Sequence, residues 1–294
     1  MSIDKILLSF ISKNRLPKTY FSTAVKWFLP IIDELKTIKR SSGQQIIVGI
    51  NGCQGSGKST LAKLLIKIFI EKHDLNSVCF SLDDFYHTKK KRLLLSKEVH
   101  PLLVTRGVPG THDIEYLEKI LESLRMNQKN IEIPKFNKIN DDREMLTNAS
   151  YVKTPVDIIV IEGWCLGIKP QELENLSAPI NILEEKYDED GIWRSFVNSE
   201  LASSYQKIFD KIDIKIMLEA PAFNCVYDWR LQQENELRNI IGKEKKEKLD
   251  SEFQFFIQHF ERLTKHALET LPDDVNYLLK MKDDRSIVEC KKPI

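Results

Sequence analysis

The sequence predicts a three-layer α/β sandwich, in which a mainly parallel sheet of five strands carries helices on both faces. Short apolar runs rich in β-branched residues alternate along the chain with longer segments of helical periodicity. The fourth of the runs is KIDIKIML (211–218), and the third, VDIIVIEGW (156–164), lacks a regular alternation of core-facing and solvent-facing residues. Such runs are typical of strands that are buried on both faces of a parallel sheet.

The predicted elements follow in a clear order. Residues 1–40 have the pattern of amphipathic helices interrupted at Pro17 and Pro30, and we expect a helical segment packed on the core. Residues 41–294 would form one domain, with helical lid insertions at about 165–210 and 222–271. Besides the two runs above, the predicted strands are QQIIVGI (44–50), NSVCFSL (76–82) and VNYLLKM (275–281). The main helices are predicted at Ser59 to about Lys72, Ile114–Met126, Gly191 to about Phe209, and two stretches divided near Gly242.

Composition excludes several classes of function. The 294 residues carry 44 Lys plus Arg against 43 Asp plus Glu, so no global basic field favours nucleic acid or an anionic membrane. No stretch approaches the roughly 20 apolar residues of a membrane span. The five cysteines form no CxxC pair, which predicts reduced thiols in a cytoplasmic protein. The apolar run near the N-terminus is interrupted by polar residues and does not have the pattern of a signal peptide.

A phosphate-binding motif follows the first predicted strand. GCQGSGKS (52–59) matches G-x-x-x-x-G-K-[ST] and opens a predicted helix, which is the structural context that a P-loop requires. Glycines allow backbone amides to face a phosphate, and the helix N-terminus adds a positive dipole. We therefore expect a P-loop NTPase fold that binds ATP with Mg²⁺. The predicted ATP-binding residues are Gly52, Gln54, Gly55, Ser56, Gly57, Lys58, Ser59 and Thr60.

A P-loop also occurs in GTPases and motor ATPases, and other motifs discriminate against both. The nearest match to the guanine-binding element, NKIN (137–140), has Asn where the guanine-binding Asp belongs. A DxxG switch after the third strand is missing. Motor ATPases usually end that strand with Asp-Glu, whereas here a single acid, Glu162, follows Ile161. The sequence therefore favours a small-molecule kinase, and a nucleotide-binding regulator or slow ATPase stays an alternative.

Two adjacent acids, Asp83 and Asp84, follow the second predicted strand, and Glu162 follows the third. Carboxylates from two strands suit a base for a substrate hydroxyl together with a residue that holds Mg²⁺ or its waters. Adjacent residues at a strand end point to opposite sides, so we expect one acid to be functional and the other to cap the turn. Spacing alone leaves open which of the two is the base.

The residues around Asp83 resemble a motif of known kinase families. DDFY (83–86) resembles an element of uridine kinases, with related acids in pantothenate kinase and phosphoribulokinase, in which the first Asp is taken as the base. A more extensive resemblance, from about Ile46 to Glu234, is to the D-glycerate 3-kinase family and its uncharacterised relatives. Its most specific parts are RGVPGTHD (106–113), EGW (162–164) and WRLQQE (229–234).

The resemblance implies that the protein uses ATP with Mg²⁺ and transfers a phosphoryl group to a small hydroxy-acid. The acceptor that it favours is D-glycerate, which would give 3-phosphoglycerate. Pantothenate, a nucleoside or a sugar phosphate is the alternative acceptor. The chain departs from the family at Asn137, where relatives often have Asp, and in a short loop between Lys138 and Arg143. Both departures lie on the expected acceptor side. The sequence carries no signal for an oligomeric state.

The motifs and the resemblance together assign site residues. Asp83 is the expected base, Lys58 and Arg230 counter the charge of the transferred group, and Glu162 assists with Mg²⁺. The candidate Mg²⁺ ligands are Ser59, Glu162 and Asp83. The candidate acceptor-binding residues are Arg106, His112, Asp113, Lys135, Lys138 and Arg143.

Structural alternatives accompany several of these residues. Asp113 would lie in the first turn of a helix capped by Thr111, and the three cations Lys135, Lys138 and Arg143 would belong to a charged surface loop. Arg230 is either a lid arginine or the partner of Glu234 in an i,i+4 ion pair. Two tryptophans, Trp164 and Trp229, flank substrate or adenine in one reading and pack in the core in the other.

Overall fold

A computed structural model describes the backbone of residues 1–144, 151–241 and 246–294. Side chains are described in the same ranges, except at 233–241 and 246–253. None of the described helices is long and apolar enough to cross a bilayer. The strands are β1 (Ile46–Gly52), β2 (Ser77–Ser81), β3 (Ile131–Glu132), β4 (Phe136–Asn137), β5 (Asp142–Arg143), β6 (Tyr151–Val152), β7 (Ile158–Gly163), β8 (Ile214–Glu219), β9 (Tyr277–Met281) and β10 (Ile287–Lys291).

The helices alternate with these strands as the sequence predicts. Two of them pass into one-turn π-helical segments, Ala24–Phe28 and Leu201–Tyr205. The helices are α1 (Ile3–Lys13), α2 (Thr19–Thr23), α3 (Leu29–Ser42), α4 (Lys58–His73), α5 (Lys89–Glu98), α6 (Ile114–Arg125), α7 (Ile182–Tyr187), α8 (Ile192–Glu200), α9 (Gln206–Phe209), α10 (Phe223–Ile241) and α11 (Lys246–Thr270). The predicted helix after the P-loop is confirmed, and it extends one residue further at each end. The charged run KEKKEK (243–248), whose pattern is typical of a solvated helix face, has its first three residues outside the described backbone.

The central sheet confirms the predicted class. Among the described residues it has six strands in the order β10-β9-β8-β1-β7-β2. Neighbours from β9 to β2 pair in parallel, whereas β10 pairs antiparallel with β9. The prediction of five strands missed β10 because its residues Ile287–Lys291 are partly exposed and include charged side chains. Such a strand at a sheet edge lacks the apolar run that identified the buried strands.

Two hydrophobic clusters cover the two faces of this sheet. Along β7, Ile158 and Val160 join one cluster, whereas Ile159 and Ile161 join the other. The first cluster also contains buried side chains of the N-terminal helices, such as Leu35. Both faces are buried, and the polar side chains Asn51, Ser81 and Glu162 lie at or next to the carboxyl ends of β1, β2 and β7. These ends meet at one edge of the sheet, which is where open α/β sheets bind their ligands.

A buried ion pair joins α11 to α7 in the insertion that follows β7. The guanidinium of Arg262 donates to both carboxylate oxygens of Glu184, at 2.8 and 2.6 Å. It also donates to the carbonyl oxygens of Asn175 and Ala178, each at 2.8 Å. The Glu184 side chain is fully buried. The insertion is therefore held by an ion pair whose partners depend on each other.

We expect Arg262→Leu to lower the free energy of unfolding by about 3–5 kcal/mol, because it leaves a buried carboxylate without its cation. Urea denaturation of purified protein measures this loss. Lys265→Ala is the control, since Lys265 pairs with Glu261 at i,i+4 and is 48% exposed. That variant should lose about 0.5 kcal/mol or less. Equal losses of unfolding free energy in the two variants would show that the buried pair contributes no more to stability than an exposed pair.

Candidate active site

The P-loop connects β1 to α4 as the motif predicts. Gly55 and Gly57 have φ of +84° and +93°, in the left-handed region that favours glycine. A Cβ atom at Gly55 would also lie 2.6 Å from the Cβ of Trp229 in α10. Trp229 is 3% exposed, and its indole nitrogen donates to the Asp283 carbonyl at 2.6 Å. The loop is therefore packed under α10, and a side chain at Gly55 would force α10 away.

The end of β7 faces the start of α4. The Ser59 hydroxyl donates to Oε1 of Glu162 at 2.7 Å, and Oε2 of Glu162 lies 4.0 Å from Nζ of Lys58. Glu162 is 4% exposed, and Oε2 has no hydrogen-bond partner among the described residues. A buried carboxylate oxygen beside the P-loop hydroxyl fits Mg²⁺, which takes one or two protein carboxylates together with substrate phosphates. The described residues contain no complete cluster of metal-binding side chains, so phosphate oxygens would have to complete this site.

Asp83 lies in a one-turn 3₁₀ helix, Leu82–Phe85, that follows β2. Its Oδ1 accepts a hydrogen bond from the Tyr86 hydroxyl at 3.0 Å, and its Oδ2 accepts one from Nζ of Lys138 at 2.7 Å. Burial alone would raise the pKa of this carboxyl, but the charges of Lys138 and Lys58 outweigh it and hold the pKa well below its usual range. The lowered pKa means that the Asp83 carboxyl is ionised at neutral pH. Its side chain is 22% exposed, so a substrate can reach it.

Asp84 points elsewhere. Its Oδ2 accepts from the backbone nitrogen of Ser81 at 3.1 Å, while the Ser81 hydroxyl accepts from the nitrogen of Asp83, which makes a capping box. Burial raises the pKa of the Asp84 carboxyl. The two acids separate because the chain turns into a 3₁₀ helix after Ser81, and not because they alternate along a strand. The sequence prediction that one acid caps the turn therefore holds for Asp84, but the strand alternation on which it relied is absent at these two residues.

The hairpin of β4 and β5 brings Lys138 to Asp83 and Asp141 to two arginines. Lys138, at its tip, is 54% exposed even though it contacts Asp83. Arg106 donates to Oδ1 of Asp141, and its guanidinium lies 5.4 Å from the centre of the Phe136 ring. The other oxygen of Asp141 lies 2.9 Å from the guanidinium of Arg92, which is 1% exposed. Asp141 is thus a bridge between a buried arginine and a partly exposed one, and sequence reasoning missed it.

Two other predicted acceptor-binding residues, Arg143 and Asp113, connect the β4–β5 hairpin to the start of α6. Arg143 donates to the Tyr86 carbonyl at 2.8 Å and to Oδ2 of Asp113 at 2.9 Å. Asp113 is the N-cap of α6, since its Oδ1 accepts from the nitrogen of Tyr116 at 3.1 Å. The guanidinium of Arg143 and the carboxylate of Asp113 are therefore engaged in holding the hairpin against α6. Lys135 is exposed.

The predicted helix cap was wrong by two residues. Thr111 does not cap α6, because its hydroxyl donates to the Val108 carbonyl at 2.7 Å and accepts from the Gly107 nitrogen at 3.0 Å. Both partners lie within the RGVPGTHD turn, so Thr111 closes that turn on itself. The cap position is left to Asp113.

His112 is buried beside the Asp83 cluster. Its ring stacks on Tyr86 at 4.4 Å between centroids, and its Nδ1 lies 2.6 Å from the Tyr205 hydroxyl. Burial lowers the pKa of His112 to about 3, against the opposing charge of Asp83. Tyr205 comes from the insertion and carries no motif, so sequence reasoning missed it.

The predicted lid residue Arg230 lies on α10. It lines a small cavity together with the P-loop residue Gln54 and with Phe256 and Phe260 of α11. Its predicted ion-pair partner Glu234 lies outside the described side chains. The loop between β9 and β10 also reaches the P-loop, where Arg285 donates to the Gly55 carbonyl at 2.8 Å. Nothing in the sequence connects these distant segments.

The two tryptophans singled out in the sequence are both buried. Trp164 is 3% exposed and donates its indole N–H to the Gly107 carbonyl at 3.0 Å. Trp229 packs on Gly55, as described above. In this structure both therefore have packing contacts of the kind that the core alternative describes.

A P-loop, a buried carboxylate on the adjoining strand and an ionised Asp83 paired with Lys138 of the β4–β5 hairpin define a P-loop kinase. No protein-family model matches the chain. It is 34% identical over 274 residues to the uncharacterised kinase mug58 of Schizosaccharomyces pombe, covering 85% of this chain and 96% of that protein. It is 30% identical over 202 residues to the chloroplastic D-glycerate 3-kinase of Arabidopsis thaliana, covering 66% of this chain and 42% of that protein.

The solved structure of D-glycerate 3-kinase from Cryptococcus neoformans superposes with a TM-score of 0.72 at 25% identity, covering 91% of this chain and 98% of that one. The chain belongs to the P-loop kinase family that contains D-glycerate 3-kinase and uncharacterised ATP-dependent kinases. It is a phosphotransferase that acts on an alcohol group and uses ATP. The resemblance predicted from the sequence is confirmed.

Proposed function

We propose that this kinase transfers the γ-phosphoryl group of ATP to a hydroxyl of D-glycerate, giving 3-phosphoglycerate. The observation that carries the proposal is the pairing of an ionised Asp83 with Lys138, beside Lys58 of the P-loop. An ionised carboxylate accepts a proton from a hydroxyl, and cations around it attract an anionic acceptor. A small hydroxy-acid has both of these groups.

The acceptor carboxylate has a candidate partner in Arg106. Its side chain is 19% exposed, and its guanidinium already binds a carboxylate, that of Asp141. An arginine held by a carboxylate and by the face of Phe136 is preoriented, so less side-chain entropy is lost when a second carboxylate binds. Relatives named D-glycerate 3-kinase support the choice of this hydroxy-acid.

Catalysis would rest on position and charge. Asp83 orients the acceptor hydroxyl and takes its proton, while Lys58 and Arg230 counter the charge of the transferred group. Ser59, Glu162 and Asp83 are the side chains that would hold Mg²⁺, which neutralises phosphate oxygens when bound. No covalent intermediate on the protein is expected, because the hydroxyl attacks the phosphorus directly. Helix α10 packs on the P-loop and would exclude water from the transferred group.

A cytoplasmic location fits the state of the cysteines, and we infer it on that basis. Cys53, Cys79, Cys165, Cys225 and Cys290 are free thiols. Burial raises the pKa of Cys53 to about 12, so this thiol beside the P-loop is unreactive. Reduced thiols of this kind persist in a reducing compartment.

The acceptor is tested by measuring ADP release from Mg-ATP by the purified protein. D-glycerate, L-glycerate, pantothenate, uridine and ribulose 5-phosphate are added one at a time, and Asp83→Asn serves as the blank. We expect D-glycerate alone to stimulate ADP release, with 3-phosphoglycerate as the product. Stimulation by another compound would keep the kinase and change its acceptor. Steady ATP hydrolysis that no acceptor changes would contradict the proposal.

A further inference from the structure

His112 has one nitrogen engaged and one unengaged, although the residue is only 3% exposed. Nδ1 lies 2.6 Å from the hydroxyl of Tyr205. Nε2 is buried, and among the described residues it has no hydrogen-bond partner. An unpaired polar atom at a buried position costs about 1–3 kcal/mol, so the structure holds it there against a penalty. An atom of this kind beside a proposed acceptor site suggests a partner that arrives with the substrate.

The hydrogen bonds of Tyr205 settle which nitrogen carries the proton. Its hydroxyl accepts from the backbone nitrogen of Gly110 at 3.1 Å. A hydroxyl has one hydrogen to donate, and within the described part of the chain the acceptor at hydrogen-bond distance is Nδ1 of His112. If Nδ1 carried the proton instead, the buried Tyr205 hydrogen would have no acceptor there. Tyr205 therefore donates to Nδ1, and the neutral ring carries its hydrogen on Nε2.

The ring is close to the reacting groups. Tyr86 stacks on His112 with 23° between the ring planes, and the same Tyr86 donates its hydroxyl to Asp83 at 3.0 Å. The two carboxyl-end elements, the 3₁₀ turn after β2 and the turn before α6, are also joined by a β-bridge between Tyr86 and His112. The ring of Tyr86 therefore lies between His112 and Asp83, which pairs with Lys138.

We propose that Tyr205 is a positioning residue that holds His112 in the Nε2–H form, and that Nε2–H donates a hydrogen bond to an oxygen of the acceptor. This inference rests on the proposed function. It assigns a neutral donor to a site that otherwise consists of charged groups, Asp83, Lys138 and Arg106. Burial keeps the ring uncharged at neutral pH, because it lowers the pKa of His112 to about 3. A neutral donor selects an acceptor oxygen by position, and it adds no charge that would attract other anions.

Substituting His112 by Gln or by Asn distinguishes a hydrogen-bond donor at the position of Nε2 from a residue that only packs. The amide nitrogen of Gln reaches the position of Nε2, whereas that of Asn reaches only the position of Nδ1. We expect His112→Asn to raise the KM for the acceptor about 10- to 100-fold, and His112→Gln to restore most of the loss. The KM for ATP should stay unchanged in both variants. Equal losses with Gln and Asn, in variants that melt near the wild-type temperature, would overturn the proposal and leave His112 a packing residue.

Tyr205→Phe tests the positioning role. The variant removes the hydroxyl that binds Nδ1, so the ring can adopt either neutral form. We expect a rise in the KM for the acceptor smaller than that of His112→Asn, with an unchanged KM for ATP. A loss confined to kcat, or an equal rise in both KM values, would contradict this role.

The ring itself can be observed without activity or substitution. Nitrogen-15 NMR of the histidine side chains in the wild-type protein reports which nitrogen of each ring is protonated. His112 is identified as the signal that is missing from the His112→Gln spectrum. We expect a proton on Nε2 and a shift of that signal when D-glycerate is added to the complex with ADP. A proton on Nδ1, or a signal that D-glycerate leaves unchanged while the wild type phosphorylates it, would overturn the proposal.

Failure of the two proposals can be told apart. If the wild type phosphorylates another acceptor instead of D-glycerate, the proposed function is wrong in its acceptor. The same NMR titration and the same KM measurements are then made with that acceptor, and they judge the role of His112 on their own.

Discussion

Lys58→Ala is expected to lower kcat/KM by about 10³-fold or more, one of the two largest effects expected of a single substitution in this protein. Lys58 begins α4, its side chain is 13% exposed, and its Nζ lies 4.0 Å from Oε2 of Glu162. It is the cation of the P-loop, and the transition state develops charge on the γ-phosphoryl oxygens that it faces. Removing it also leaves the buried Glu162 without a neighbouring charge. Steady-state kinetics with saturating acceptor measures the loss.

The control for Lys58→Ala is Lys67→Ala on the same helix. Lys67 forms an i,i+4 pair with Glu71, at partly exposed positions. We expect the control to keep wild-type kinetics and to lose about 0.5 kcal/mol of stability or less. Wild-type turnover by Lys58→Ala would show that the P-loop does not hold the transferred phosphate.

Asp83→Asn is expected to lower kcat by about 10²- to 10⁴-fold, which is the range for loss of a general base. The amide keeps the shape and the hydrogen bond from Tyr86, but it cannot take a proton from the acceptor. The KM for ATP should change little, because the P-loop contacts remain. Stopped or continuous ADP assays with D-glycerate measure kcat, and the melting temperature verifies that the variant is folded.

Asp84→Asn is the matched control for that variant. Asp84 caps the turn through its Oδ2 and the nitrogen of Ser81, and an Asn oxygen can accept the same hydrogen bond. We expect kcat to stay within about tenfold of the wild type, since less than about 1.4 kcal/mol is at stake in the cap. A larger loss in Asp84→Asn than in Asp83→Asn would identify Asp84 as the base.

The apparent ionisation of Asp83 depends on a residue that only the tertiary structure brings near. Lys138 lies 55 residues further along the chain, and its Nζ contacts Asp83 at 2.7 Å. Burial would raise the pKa of Asp83, and the charges of Lys138 and Lys58 reverse that shift. The exposed Lys138 can exchange one anion for another at little cost. The contact with Asp83 thus marks a place where an anionic acceptor would find a cation.

Local features of this chain could be read from the sequence. The P-loop was predicted with its boundaries, because its glycines, Lys58 and Ser59 act within eight consecutive residues. Strands such as β1 and β7 were predicted because they are apolar on both faces along most of their length. The edge strand β10 was missed, since exposure on one side removes that pattern. The helix cap moved from Thr111 to Asp113, because both residue types cap helices and local hydrogen bonds decide between them.

The sequence by itself determined the fold class and the P-loop, and it singled out the acids among which we propose the base. The tertiary structure decided which side chains meet. It turned Asp84 back on Ser81, joined Asp83 to Lys138, and brought Tyr205 from the insertion to His112. The physical reason is that backbone conformation and burial depend on neighbours in the chain, whereas hydrogen bonds and ion pairs form between groups that folding places together. Ser59 and Glu162, for example, lie 103 residues apart in the chain, beyond the reach of any local pattern.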